Sequence, residues 1–224
     1  MRFALLIATA ALVVTTAAQS LSQETVPTVQ REVEAVVVKF YKQIVLRKPI
    51  GLPGGKTLEA IRPFLSRNLI ERIRASGECE KDYFRQNPDP DPNGPNASMI
   101  LKPPFAWLEA GLFSGDNERA GPLWFGVRHI IRQKDGSYEV YVKLKQWEEF
   151  DKYPRPRGAP YDDTWEVTVF VVRDGSHYAV NDVFYPQVYA DHSIPHYPAI
   201  EETLLSQLLD SGCKDGKWVG FPDK

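Results

Sequence analysis

From Thr28 to Leu46 the apolar residues Val29, Val33, Val36, Val37, Phe40 and Ile44 recur at intervals of three and four, with Arg31, Glu34, Lys39 and Lys42 on the opposite side. That spacing predicts an amphipathic helix with one face against a core. Lys48-Pro49 and the turn Gly51-Leu52-Pro53-Gly54-Gly55 end it. Thr57 is then placed to cap a short helix through Ile61, and Ser66 to cap a third that carries Leu69, Ile70 and Ile73 to a stop at Gly77. Gln86 to Pro95 is dense in Asn, Pro, Asp and Gly, and Lys102-Pro103-Pro104 follows, so this stretch reads as an exposed loop.

Beyond that loop the hydrophobic period changes from about 3.6 to 2. Asp135-Gly136 and Asp174-Gly175 each lie between β-rich runs and predict two hairpins. Their strands are expected at Leu123 to Gln133, Tyr138 to Trp147, Thr164 to Arg173 and His177 to Tyr185, with Tyr153 to Asp162 as the link between hairpins. A last helical run, Ile200 to Leu209, stops at Gly212. Helices first and an antiparallel meander after predict an α+β fold: N-terminal helices packed on a curved antiparallel sheet, with an extra C-terminal helix. The first helix is the natural cover for the apolar face of Val140, Val142, Leu144, Val167, Val169 and Val171.

Strict alternation exposes two anomalies. It sets His129 on a face with Phe125, Val127 and Ile131, and Asp182 on a face with Tyr178, Val180 and Phe184. If both faces are concave, desolvation raises the carboxyl pKa and lowers the imidazole pKa, toward proton transfer near neutral pH. Tyr41 on the covering helix adds a hydroxyl donor. Tyr41, His129 and Asp182 are therefore the candidate ligand-binding residues. The plainer reading is that His129 and Asp182 pair with each other or with backbone, or that Asp182 orients Tyr41 or caps a neighbouring loop, since buried polar groups must be satisfied.

Met1-Arg2, the apolar run Phe3 to Val14 and the small residues around Ala18-Gln19-Ser20 read as an export signal over residues 1–20, leaving one domain over 21–224. The apolar run is about a dozen residues, short of a membrane span, so a removable leader and no lasting membrane anchor are expected. A periplasmic or secreted location follows, and there the two cysteines, Cys79 and Cys213, most simply form one disulfide. A cysteine nucleophile served by His129 or His177 lacks a supporting local motif. With 27 Lys+Arg against 29 Asp+Glu the chain carries no basic field of the kind that drives nucleic-acid or anionic-membrane binding, and nucleic acid is not an expected partner.

Asp191, His192 and His196 have a ligand-like spacing, but Pro195 and Pro198 deny them a helix, so no metal is expected. Gly51 to Gly55 lacks the Lys-Ser/Thr ending of a phosphate loop, and no cofactor is expected. Asn96-Ala97-Ser98 fits a glycosylation sequon, relevant only in a host that has the machinery.

Phe40-Tyr41, the run Ile61-Arg62-Pro63-Phe64-Leu65-Ser66-Arg67-Asn68-Leu69 and the strand Tyr178-Ala179-Val180-Asn181-Asp182-Val183-Phe184-Tyr185 resemble the nuclear-transport-factor-like (cystatin-like) superfamily, and within it a group of secreted bacterial domains. The resemblance spans about Val29 to Tyr185; the Pro/Asp-rich loop and the tail from Pro186 depart from a minimal cone. It implies a sheet bent around one helix into a cone with an open end. The expectation is an exported non-catalytic domain binding a small ligand or a protein partner, with a homodimer among the arrangements its open sheet face allows. The alternative is an acid/base enzyme, a hydrolase, dehydratase or isomerase, working through His129, Asp182 and Tyr41 in the cone.

Overall fold

The structure is a computed structural model that describes residues 26–88, 104–109, 111–115, 121–145, 164–186 and 203–221. The leader, the sequon, Trp147, the link Tyr153 to Asp162, the Asp191/His192/His196 group and most of the Gln86 to Pro95 loop lie outside these residues. Three helices lead: α1 (Val26–Arg47), α2 (Gly55–Ile61) and α3 (Arg67–Gln86), with a 3-10 turn at Arg62–Phe64. Strands β1 (Trp124–Arg132), β2 (Tyr138–Lys145), β3 (Thr164–Asp174) and β4 (His177–Tyr185) form an antiparallel meander, extended at the β4 edge by β5 (Thr203–Leu204). Helix α4 (Leu205–Asp210) and a small hairpin, β6 (Cys213–Lys214) and β7 (Lys217–Trp218), complete the described chain. The fold is α+β, with N-terminal helices on an antiparallel sheet and a C-terminal helix after it.

The core forms where the two periodicities meet. Helix α1 buries Val29, Val33, Val37, Phe40, Tyr41 and Ile44 in one core with Val140, Val142 and Leu144 of β2 and Val167, Val169 and Val171 of β3. It also touches both β1 and β4. Those strands lie three positions apart, about 14 Å across a flat sheet, so a helix about 10 Å wide reaches both because the sheet curls around it. The result is cone-like.

Several boundaries differ from the pattern reading. Helix α3 does not stop at Gly77 but continues to Gln86, because Cys79 and Tyr83 keep supplying its buried face. It ends where Pro88 forbids continuation. Helix α2 starts at Gly55 after an extended Gly54, two residues before the Thr57 cap. The run Ile200 to Leu209 yields a shorter helix, since Thr203 and Leu204 pair with Tyr185 and Phe184 before the chain turns helical. A third Asp-Gly turn, Asp215-Gly216, makes the β6–β7 hairpin, with both residues at positive φ.

Cys79 and Cys213 are joined in a disulfide, as expected. It pins the terminal hairpin to α3, where Trp218 packs edge-on against Tyr83 and Phe105 and its backbone N–H donates to Asp82 at 3.0 Å.

Candidate functional site

Each of the two anomalous residues follows a β-bulge. In β1, Val127 pairs with Val142 but His129 pairs with Tyr141, leaving Arg128 as the extra residue. The bulge flips the alternation: Phe125, Val127 and Ile130 oppose the core residues Leu144, Val142 and Val140, while His129 and Ile131 oppose Tyr141 and Glu139. In β4 the register shifts between Asp182 and Val180, which pair with Phe170 and Val171. Tyr178, Val180, Val183 and Tyr185 are buried, and Asp182 and Phe184 fall on the other face. The grouping of His129 with Phe125 and Val127, and of Asp182 with Tyr178 and Val180, is thereby corrected. Both ionisable side chains belong to the outer face of the sheet.

Asp182 is occupied there. Its Oδ1 accepts the backbone N–H of Val183 at 2.9 Å and of Ser206 at 3.0 Å, the latter in the first turn of α4. It replaces a local N-cap, because the residue preceding that helix is Leu204, whose side chain accepts nothing. Gln207 completes the end, its Oε1 receiving Leu204 N–H at 3.1 Å. The adjacent bulge residue serves the other helix. Asn181 Oδ1 accepts from the Ser66 hydroxyl at 2.8 Å, and Ser66 Oγ in turn accepts Leu69 N–H at 3.1 Å to cap α3. One bulge therefore presents two neighbouring polar side chains to two helix N-termini.

Tyr41 lies on the inner side, fully buried against the rings of Phe40 and Phe125, with Phe113 packed edge-on to Phe40 beside it. Its hydroxyl donates to the Phe113 carbonyl at 3.0 Å, and burial raises its pKa far above that of an ordinary phenol. Phe113 belongs to the turn Gly111-Leu112-Phe113-Ser114-Gly115, which closes the end of the sheet where β1 and β3 begin and β2 and β4 finish. Three successive carbonyls of this turn accept from three aromatic donors: Leu112 from Tyr185, Phe113 from Tyr41, and Ser114 from Trp165 at 2.7 Å. Leu112 and Phe113 are fully buried and fill the space between Tyr41 and that end of the sheet. Gly115 is needed for fit, since a Cβ there would sit 2.7 Å from the Tyr185 ring at a positive φ. Two glycines around an apolar pair are the sequence signal for this plug.

His129 is exposed, with its ring edge-on to Tyr141 at 6.3 Å between centroids. It stands in a row along β1 with Trp124, which is 44% exposed, and Ile131, which is 46% exposed. The Trp124 indole lies over Gly126, where a Cβ would come within 2.5 Å of it. Tyr41, His129 and Asp182 thus do not meet: the first is in the core, the second on the edge strand's outer face, and the third at the N-terminus of α4. No group of three or more His, Cys, Asp or Glu positioned to hold a metal occurs among the described residues. No described helix is long and apolar enough to cross a membrane. No family model, no curated protein and no solved structure matches the chain.

Proposed function

We propose that this chain is an exported, non-catalytic binding domain that engages a protein partner through the outer face of its sheet. The observation that carries the reading is the row Trp124, His129 and Ile131 on β1, exposed apolar and aromatic side chains on a strand held rigid by the core behind it. Aromatic anchors on a fixed scaffold are what binding surfaces use. Export is supported by the leader pattern and by the Cys79–Cys213 disulfide, which suits an oxidising compartment. Kinship with the nuclear-transport-factor-like cone superfamily is part of the same proposal, supported by the curled sheet around α1. The acid/base alternative needs Tyr41, His129 and Asp182 in one cavity, and their placement lends it no support.

The test is site-directed. A photoreactive residue in place of Ile131 is expected to give one discrete adduct in the host's exported fraction, and Trp124→Ala is expected to abolish it while the fold melts unchanged. The same preparation reports export through its N-terminal sequence. A chain beginning at Met1 in the cytoplasm, or an adduct pattern indifferent to Trp124, would overturn the proposal.

A further inference from the structure

Charge is unevenly placed in this nearly neutral chain. Between Glu34 and Glu59 there are five cations, Lys39, Lys42, Arg47, Lys48 and Lys56, and no acid. None of the five forms an ion pair among the described residues. On α1, Lys39, Lys42 and Leu46 are exposed at helical spacing, opposite the buried stripe Val33, Val37, Phe40 and Ile44. Leu46 is 72% exposed, the most exposed large apolar side chain described, and Ile50 just beyond the helix is 49% exposed. Left-handed Lys48, whose N–H donates to Ile44 O at 2.8 Å, ends the helix and sends the chain out to Ile50.

A favourable interaction with the helix dipole accounts for Arg47 in the last turn. It does not account for Lys39 and Lys42 further back, nor for two protruding apolar side chains set among cations. Apolar tips flanked by Lys and Arg on a rigid helix end are complementary to an anionic lipid surface: the cations meet headgroups and the tips enter the acyl boundary. We propose that the C-terminal end of α1, with Leu46 and Ile50 at its tip, docks the protein reversibly on an anionic membrane surface. Docking there holds whether or not the outer sheet face binds a partner.

Vesicle sedimentation tests it, with the disulfide-bonded chain from Leu21 onward, which keeps every described element and lacks the apolar leader. Vesicles of equal parts phosphatidylglycerol and phosphatidylcholine are expected to carry the protein down, and vesicles of phosphatidylcholine alone are not. Lys39→Gln with Lys42→Gln is expected to weaken binding about 25-fold, at about fivefold per cation. Leu46→Gln with Ile50→Gln is expected to weaken it with charge unchanged, and Arg74→Gln on α3 is expected to do nothing. Binding is also expected to vanish near 1 M salt, where the screening length falls to about 3 Å. All substituted side chains are exposed, so melting temperatures should match the parent. Failure to bind the anionic vesicles, equal binding to both compositions, or binding indifferent to the substitutions at Lys39, Lys42, Leu46 and Ile50 would overturn the proposal, and an acidic protein would then be the occupant to seek.

Discussion

The carboxylate of Asp182, on strand β4, receives the backbone N–H of Ser206 at 3.0 Å and so caps a helix that begins 23 residues further along the chain. This is a structural use of a carboxylate that alternation set on an apolar face, and it agrees with the plainer expectation that Asp182 pairs with backbone. Removing it leaves an N-terminal donor of α4 without an acceptor. Asp182→Ala is expected to lower stability by about 1 kcal/mol, and Asp182→Asn by less because its amide oxygen still accepts. Urea unfolding of both variants measures this. His129→Ala, on an exposed side chain, should stay within about 0.5 kcal/mol of the parent.

The bulge at Arg128 makes a contrast between two neighbours. Ile130 packs toward the core opposite Val140, whereas Ile131 stands opposite Glu139 on the exposed face. Ile130→Ala is expected to cost about 2 kcal/mol, the low end for a large-to-small change at a partly buried site. Ile131→Ala should be close to neutral. The reverse order in urea unfolding would mean that β1 is paired without a bulge and that His129 does face inward.

That contrast also shows where the sequence was legible. Amphipathic α1, the four meander strands and the cysteine pair all announce themselves, because each depends on a local period, a turn dipeptide or a count. The candidate site depended instead on parity within a strand, and one extra residue reverses parity for everything beyond it. Neither Arg128 nor the Asn181-Asp182 step carries a glycine to mark its bulge. The plug at Leu112-Phe113 was hidden for a different reason: its partners, Tyr41, Trp165 and Tyr185, are 51 to 73 residues away, so only the folded chain brings donors and carbonyls together.

Asp174 ties the β3–β4 turn to the start of α3. It accepts Arg67 N–H and Nε–H, each at 2.8 Å, and the hydrogen bonds and charge of Arg67 hold its pKa below the ordinary carboxyl value of 3.8. The unfolded chain therefore takes up this proton at a higher pH than the folded one. The clamp's contribution is intact above the ordinary value and is lost as pH falls through the lowered one. Asp174→Asn should flatten the acid side of the stability profile and leave its shape near neutral pH unchanged, as equilibrium unfolding across pH 2 to 6 would report, about the range of carboxyl titration. An unaltered acid limb would show that other carboxylates control it.

Tyr41→Phe separates a packing role from a chemical one. The ring's contacts with Phe40 and Phe125 survive the change, while the buried Phe113 carbonyl loses its donor. An unpaired buried acceptor costs about 1 to 3 kcal/mol, so the variant should unfold at lower urea with an unchanged denaturant slope. If stability held, the hydroxyl would be free for chemistry and the plug reading would fail.

The disulfide closes a long loop, its two cysteines lying 134 positions apart in sequence. On the chain-entropy model this stabilises the fold by about 5 kcal/mol, an upper value because a reduced chain keeps some structure. Trp218 would still pack on Tyr83 and Phe105 in the reduced protein, and its N–H would still reach Asp82. Reduction, or Cys79→Ser with Cys213→Ser, is therefore expected to lower the unfolding free energy by about 2 to 5 kcal/mol without unravelling α3 or the sheet. Hydrogen exchange should show the slowest amides of β1 to β4 losing protection by that same global amount, because the lost stability lies in the unfolded chain while α3 and the sheet stay formed. Unchanged protection in β1 to β4 beside loss confined to 213–218 would mean instead that the disulfide only seats the terminal hairpin.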